Sequence, residues 1–228
     1  MNPSDLFQNP FKRILSDKSG GSGRRRSSVR VKELRQRDRS RMLKHFLALE
    51  NSDRLLRFGT FLPDAQIAAY VNQIDFKRDV VFGVYSRLFR LDAVGHLAFA
   101  PRPIAADKQA ATAKERVAEF GVSVARTMRG MGVGSKLFGR AAIHCRNNDV
   151  DTLYMHWLSS NQTMMHIAKK AGMTIERGHG EADAYLKLLP ANPASMLQEA
   201  MEEQFATFDY PIKSSLRVVL KWLGKRRS

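Results

Sequence analysis

The stretch AEFGVSVARTMRGMGVGSKLFGRAAIHCR, residues 118–146, decides the fold of this chain. In its first third, Phe120, Val122 and Val124 alternate with polar or small residues, and this period of two predicts a strand. The last third carries apolar residues at three- and four-residue steps, which predicts an amphipathic helix. The middle holds glycine at positions 130, 132 and 134. The sequence therefore predicts a strand, a glycine-rich turn and a helix in succession.

This layout suits a phosphate ligand. Glycines let the backbone approach the ligand and adopt positive φ, and a helix start offers unpaired N–H groups at the positive end of its dipole. Arg129 adds a positive charge at the same place. A Walker A loop is excluded because Ser135 precedes Lys136, and the glycine spacing does not fit a Rossmann fingerprint. The pattern that remains is R-x-x-G-x-G, formed by Arg129, Gly132 and Gly134.

Charge is concentrated at the two ends of the chain. Of the net charge of +16 over 228 residues, residues 24–44 hold ten Arg/Lys against two acids, and residues 213–228 hold six Arg/Lys and no acid. The span 45–212 is close to neutral. This distribution argues against a domain that reads nucleic acid, whose basic face should lie on the folded core. The basic tails could instead engage an anionic partner such as nucleic acid, ribosome or membrane lipid, or could simply keep the protein soluble.

Other features narrow the class of protein. Cys145 is the one cysteine, so there is no internal disulfide, and its place on the apolar helix stripe predicts a core residue. No apolar run is long enough for an integral membrane segment and no signal region opens the chain, so we expect a cytoplasmic protein. The histidines show no ligand spacing, so we expect no metal.

Composition and periodicity divide the chain into three parts. Residues 1–28 predict a disordered leader, rich in Gly and Ser and ending in an arginine cluster. Residues 29–189 predict one α/β (mixed α+β) domain with elements in the order β-α-α-β-β-β-α-β-α-β-β. The sheet would be mostly antiparallel, with one parallel β-α-β unit built on the glycine loop. Residues 190–228 predict a helical extension with a basic tail, in which residues 195–208 form an acidic amphipathic helix.

The element order and the R-x-x-G-x-G loop resemble the GNAT N-acetyltransferase superfamily. Four blocks are similar in sequence to GNAT proteins and occur in the same order along the chain. They are DRLLRF (53–58), IDFKRDVVFGV (74–84), AEFGVSV (118–124) and NQTMMHIAKKAGM (161–173). Together they look most like the acetyltransferase domain of bacterial protein-lysine acetyltransferases. The resemblance implies that the parallel strands are splayed to hold acetyl-CoA, the cosubstrate. In that family a very large acyl-CoA-synthetase-like region precedes the domain; with 228 residues, we expect this chain to lack one.

The resemblance also assigns site residues. Glu119 stands where the family carries its catalytic glutamate, and strand alternation places it with two small residues on the face opposite the apolar one. The positions expected to bind the cofactor are Val122, Val124, Arg129, Gly130, Gly132, Gly134, Ser135 and Asn161. The tyrosine that protonates the leaving thiol in many of these enzymes is replaced by Ala168. Asn161 could equally be a helix N-cap.

Two functions are therefore open. The first is an acetyl-CoA-dependent N-acetyltransferase that uses Glu119 as general base. Its acceptor would be a protein lysine or a small amine, and the small number of acids near the expected acceptor strands favours a protein or neutral acceptor. The second is a non-catalytic acyl-CoA sensor whose basic tails engage nucleic acid, ribosome or membrane. A homodimer, formed through the C-terminal extension, is compatible with both.

Overall fold

The computed structural model describes residues 29–86, 89–99 and 116–201, and it contains seven strands with helices on both faces. The strands are β1 (Lys32–Leu34), β2 (Val80–Tyr85), β3 (Leu91–Phe99), β4 (Val117–Val124), β5 (Thr152–Leu158), β6 (Thr174–Gly178) and β7 (Glu181–Lys187). The helices are α1 (Arg39–Leu47), α2 (Asn51–Phe58), α3 (Asp64–Gln73), α4 (Val133–Asn147), α5 (Gln162–Ala171) and α6, over residues 193–201.

The sheet has the order β1-β2-β3-β4-β5-β7-β6. Each neighbouring pair is antiparallel except β4 and β5, which are parallel and are connected by α4. The predicted mixed sheet with one parallel β-α-β unit is thereby confirmed. The predicted leader and the basic C-terminal segment lie outside the described residues.

The structure has one helix more than predicted between β1 and β2. The predicted element order has two helices there, and residues 51–58 add a third, the two-turn helix α2. It ends because Gly59 adopts φ of +74° and donates its N–H to Leu55 O at 2.9 Å, a C-terminal cap that favours glycine. This helix matters for the site because it packs across β4 and β5.

Two apolar cores hold the layers together, one on each face of the sheet. On one face, α4 and α5 bury Leu137, Phe138 and Ile167 against Phe120 of β4. Phe120 and Phe138 meet edge to face, with ring centroids 5.7 Å apart. Cys145 is fully buried in this core, as predicted. On the other face, the second core is formed by α1 and α3 against β1, β2 and β3.

The C-terminal helix α6 packs on α4 through polar groups. Glu199 accepts hydrogen bonds from Arg140, His144 and Asn147, at 2.7, 2.8 and 2.6 Å. Burial alone would raise the pKa of Glu199, but these donors outweigh it and lower the pKa to about 2. The described apolar residues of the predicted amphipathic helix, Met196, Leu197, Ala200 and Met201, are exposed. None of the helices in the described ranges has the length and apolar character needed to cross a membrane.

Candidate active site

The glycine loop leads directly into the start of α4. Gly130 and Gly132 adopt φ of +70° and +72°, in the left-handed region that other residues rarely enter. Gly132 is the N-cap of α4, and its carbonyl accepts from Lys136 N at 3.0 Å. The N–H groups of the first helical turn have no acceptor within the helix, and at the positive end of its dipole they could bind an anion.

A cleft of about 410 Å³ extends from this loop along β4. The loop and the start of α4 form one end, and α2 and α5 form its sides. All eight positions expected to bind the cofactor line it: Val122, Val124, Arg129, Gly130, Gly132, Gly134, Ser135 and Asn161. The fold thus brings residues from β4, the loop and α5 around one elongated space.

The cleft lies where β4 and β5 separate. The two strands are paired from Val117 to Glu119 of β4, which match Thr152 to Tyr154 of β5, and no pairing between them follows in the described residues. At the far end of β4, Ala125 donates its N–H to Asp92 O of β3 at 2.8 Å. Because backbone groups alternate along a strand, those of Val122 and Val124 point to the other edge, into the gap. An extended ligand could hydrogen-bond to them as a strand would.

Arg129 is held in the cleft by two groups. Its Nη2 lies 2.6 Å from Asp53 Oδ2, and its Nε donates to Val124 O at 3.2 Å. The sequence predicted Arg129 as a phosphate contact but missed Asp53, which comes from α2 far away in the chain. A bound phosphate would compete with this carboxylate for the guanidinium. Lys170, on α5, also lines the cleft and was missed.

Asn161 is the N-cap of α5. Its Oδ1 accepts from Met164 N at 3.1 Å, and its Nδ2 donates to Leu56 O of α2 at 3.5 Å. The capping role is therefore present, and the side chain also connects two helices that line the cleft.

Glu119 lies just beyond the cleft, where the pairing of β4 with β5 ends. Its carboxylate is exposed and lies on the same face of β4 as Gly121 and Ser123, which contact α2 and α1. Tyr154 of β5 stands directly beside it in the register. A carboxylate at this place is accessible to a molecule that approaches the inner end of the cleft from outside.

Tyr154 belongs to a polar cluster on β5 and β7. Its hydroxyl donates to Asp183 Oδ1 at 2.5 Å, and His156 Nδ1 lies 2.8 Å from the same oxygen. These two hydrogen bonds lower the pKa of Asp183, while burial and the bond to Asp183 raise the pKa of Tyr154. Glu181 lies 3.6 Å from His156 Nε2. The expectation of few acids near the acceptor strands was therefore wrong, because β7 brings two carboxylates beside β5.

Two histidines connect β4 and β3 to the helices above them, and the sequence did not single them out. His45 Nδ1 lies 3.1 Å from Leu91 O and its Nε2 lies 2.6 Å from Ser123 Oγ, which also lines the cleft. His96 Nδ1 lies 2.8 Å from the hydroxyl of Tyr70. Burial is the main cause that lowers the pKa of both histidines to about 4, so both are neutral at pH 7. No group of metal-ligating side chains occurs in the described residues.

A protein-family model matches the part of the chain that carries this geometry. Residues 65–173 match the model of the Acetyltransferase (GNAT) family. This span runs from α3 to the residue before β6 and contains β4, the glycine loop and the gap between β4 and β5. No curated protein sequence matches the chain.

Solved structures share the fold at low sequence identity. The GNAT domain of S. lividans PAT is 20% identical, with a TM-score of 0.55 over 70% of this chain and 90% of that one. A GNAT superfamily phosphinothricin acetyltransferase from Sinorhizobium meliloti, solved in complex with AcCoA, is 11% identical, with a TM-score of 0.54 over 73% and 95%. An N-acetyltransferase from Staphylococcus aureus Mu50 is 14% identical, with a TM-score of 0.53 over 72% and 100%.

Proposed function

We propose that this chain, an acyltransferase that carries a GNAT acetyltransferase domain and uses acetyl-CoA, acetylates the primary amine of protein lysine side chains with Glu119 as general base. The position of Glu119 carries the proposal. An exposed carboxylate stands at the point where β4 and β5 part, just past the inner end of the cleft. The loop at the other end offers an anion site for the pyrophosphate of the cofactor.

The chemistry has two requirements that these groups can meet. A lysine amine has a pKa near 10.4, so it must lose a proton before its nitrogen can attack the thioester carbonyl carbon. Glu119 can accept that proton directly or through one water. The oxyanion that develops needs hydrogen-bond donors, and the backbone N–H groups that β4 directs into the gap can supply them.

The acidic cluster supports an acceptor that arrives as an ammonium ion, as a lysine side chain does. Asp183 and Glu181 lie on the strand next to β5, and a carboxylate near the acceptor position attracts an ammonium group before it is deprotonated. Glu119 itself is exposed to solvent, so a side chain on the surface of another protein could reach it. The sequence blocks shared with bacterial protein-lysine acetyltransferases favour this acceptor over a polyamine or an amino sugar.

Replacing Glu119 by Gln tests the proposal. Acetylation of a lysine peptide, a polyamine and an amino sugar is measured by release of free coenzyme A, and acetyl-CoA binding is measured by calorimetry. We expect Glu119→Gln to lower the rate with the preferred acceptor by about 10² to 10⁴, the usual contribution of a positioned base, and to leave acetyl-CoA binding intact. The matched control is Glu176→Gln, an exposed glutamate on the edge strand β6, which should keep the wild-type rate.

Two outcomes would contradict the proposal. If Glu119→Gln keeps the wild-type rate, Glu119 is not the general base. Acetyl-CoA binding by the wild type without turnover of any of the three acceptors would favour the sensor function instead. The alanine at position 168, where many of these enzymes have a tyrosine acid, is the observation that keeps the sensor function as the alternative.

A further inference from the structure

The guanidinium of Arg57 lies flat on β4 at the inner end of the cleft. A Cβ atom added to Gly121 would lie 2.7 Å from Cζ and Nη2 of Arg57 and 2.8 Å from Nη1, so only glycine leaves room for this arrangement. Arg57 projects from α2 and also lines the cleft next to Val122. A full positive charge is thereby placed one residue past the cleft-facing Val122, in the direction of Glu119.

A directed chain of hydrogen bonds holds the guanidinium there. Arg57 Nη2 donates to the hydroxyl of Tyr70 at 2.9 Å. A guanidinium can only donate, so the single hydroxyl proton of Tyr70 goes to His96 Nδ1, 2.8 Å away. His96 then carries its own proton on Nε2 and donates it to the buried Asp79, at 3.4 Å. The Arg57 guanidinium also lies 5.0 Å from the ring centre of Phe58.

Arg57 has hydrogen-bonding capacity that the protein leaves unused. Its Nε is buried and has no hydrogen-bond partner in the described part of the chain, and Arg57 forms no ion pair with a carboxylate there. Leaving a donor of a charged group unpaired is costly, so such a group is a candidate for contact with a ligand. Arg57 also lines the cleft, so an anion bound there could reach its guanidinium.

The path that coenzyme A would take through the cleft indicates which anion would contact Arg57. With the pyrophosphate at the start of α4, the extended arm of coenzyme A would follow β4 past Val124 and Val122 and bring its sulfur to Gly121 and Arg57. The neutral amine, whose first proton has already passed to Glu119, attacks the thioester carbonyl carbon and forms the C–N bond. The nitrogen then releases its second proton to solvent, and the C–S bond breaks. The electron pair of that bond stays on sulfur, which leaves as a thiolate. No tyrosine lines the cleft in the described residues, so the negative charge needs another partner.

We propose that Arg57 is that partner: its guanidinium, held over Gly121, stabilises the coenzyme A thiolate as it leaves. This inference rests on the proposed acetyl transfer and adds a catalytic residue to it. The thiolate takes its proton from solvent afterwards. A cation beside a thiol favours the thiolate, in the same way that Arg or Lys activates cysteines in proteins.

The test measures the thiol of bound coenzyme A, without turnover. The thiolate absorbs more strongly in the ultraviolet than the thiol does. The protein saturated with coenzyme A is therefore titrated with base, and the same protein saturated with desulfo-coenzyme A serves as the reference. Cys145, the one thiol of the protein, is buried and has a raised pKa, so it does not interfere. We expect bound coenzyme A to have a thiol pKa about 1 to 3 below that of free coenzyme A, as for an ionisable group beside an opposite charge.

Two variants and one control isolate the role of Arg57. In Arg57→Gln the thiol pKa should return close to the value of free coenzyme A. In Gly121→Ala the positive charge stays in the protein, but the new methyl group displaces the guanidinium, so the shift should shrink. The control Arg129→Gln removes a positive charge at the other end of the same cleft. It should weaken coenzyme A binding and leave the thiol pKa of the bound fraction lowered.

An identical thiol pKa in the wild type and in a coenzyme A-saturated Arg57→Gln protein would overturn the inference. That result would leave the proposed acetyl transfer untouched, because Glu119→Gln tests it separately. Should Arg57→Gln fail to fold, Gly121→Ala decides: a shift as large as in the wild type would also overturn the inference. Failure of the wild type to bind coenzyme A at all would overturn both proposals.

Discussion

The two buried histidines should make the stability of this protein depend strongly on pH between 4 and 6.5. Their pKa is lowered from 6.5 to about 4 in the folded protein, mainly because burial disfavours the charged ring. In that window the unfolded chain binds protons that the folded chain does not bind. Stability from each histidine is therefore complete above pH 6.5 and is lost as pH falls towards 4.

The size of the effect follows from the two pKa values. For one histidine with pKa about 4 when folded and 6.5 when unfolded, the free energy of unfolding falls by about 2 kcal/mol between pH 7 and pH 5. His45 and His96 lie in separate hydrogen-bond networks, so their contributions should add to about 4 kcal/mol. This is a large part of the total stability of a typical domain, which is roughly 5–15 kcal/mol.

Urea unfolding of the wild type, His45→Gln, His96→Gln and the double variant at pH 5, 6 and 7 measures this loss. Carboxylates also titrate close to this pH range and affect all the proteins. The informative quantity is therefore the difference between each variant and the wild type in how far the free energy of unfolding falls. The fall between pH 7 and 5 should be smaller by about 2 kcal/mol in each single variant and by about 4 kcal/mol in the double variant. His166→Gln, a change at an exposed ring, should behave as the wild type. Equal falls in all five proteins would refute the reasoning.

Two further predictions concern the loop and the C-terminal helix. Gly132→Glu places a side chain at φ of +72° and a negative charge in the anion site, so calorimetry should show no acetyl-CoA binding, whereas Gly180→Glu, equally strained at φ of +86° but in the β6–β7 turn, should bind normally. Glu199→Gln should lower the free energy of unfolding by about 1–3 kcal/mol at pH 7, because a charge-assisted network is lost. Since the pKa of Glu199 is about 2 when folded, its stabilisation is lost as pH falls from 4.5 to 2, and thermal unfolding at pH 2 should not distinguish the variant from the wild type.

Local signals account for what the sequence predicted well. The strand before the glycine loop, the loop itself and the helix after it are consecutive, and their periods of two and 3.6 can be read from neighbouring residues. A glycine is a common local signal for the end of a helix, and Gly172 ends the helix that opens at Asn161 with φ of +73°. The parallel pairing of β4 and β5 followed from the one β-α-β unit.

Contacts between distant residues account for what the sequence could not show. His45 and Ser123 are 78 positions apart and touch only because α1 lies over β4. The sequence alone does not indicate that Gly121 makes room for Arg57, because a glycine within a strand can have several structural causes. The acidic cluster was missed for the same reason: Asp183 meets Tyr154 through the register of β5 with β7, which a single sequence does not specify.

The polar docking of α6 has a consequence for where the protein can be shortened. The family match ends at residue 173, but the buried Arg140 and the side chain of His144 take Glu199 as partner, and Arg146 donates to Pro190 O. A version that stops after β7 would lack Glu199. The side chains of Arg140 and His144, which are largely shielded from water, would then lose their carboxylate partner. We therefore expect the smallest piece that folds independently to extend, at its C-terminal end, beyond the region of the family match. An expression trial of the domain should keep residues up to 201 at least.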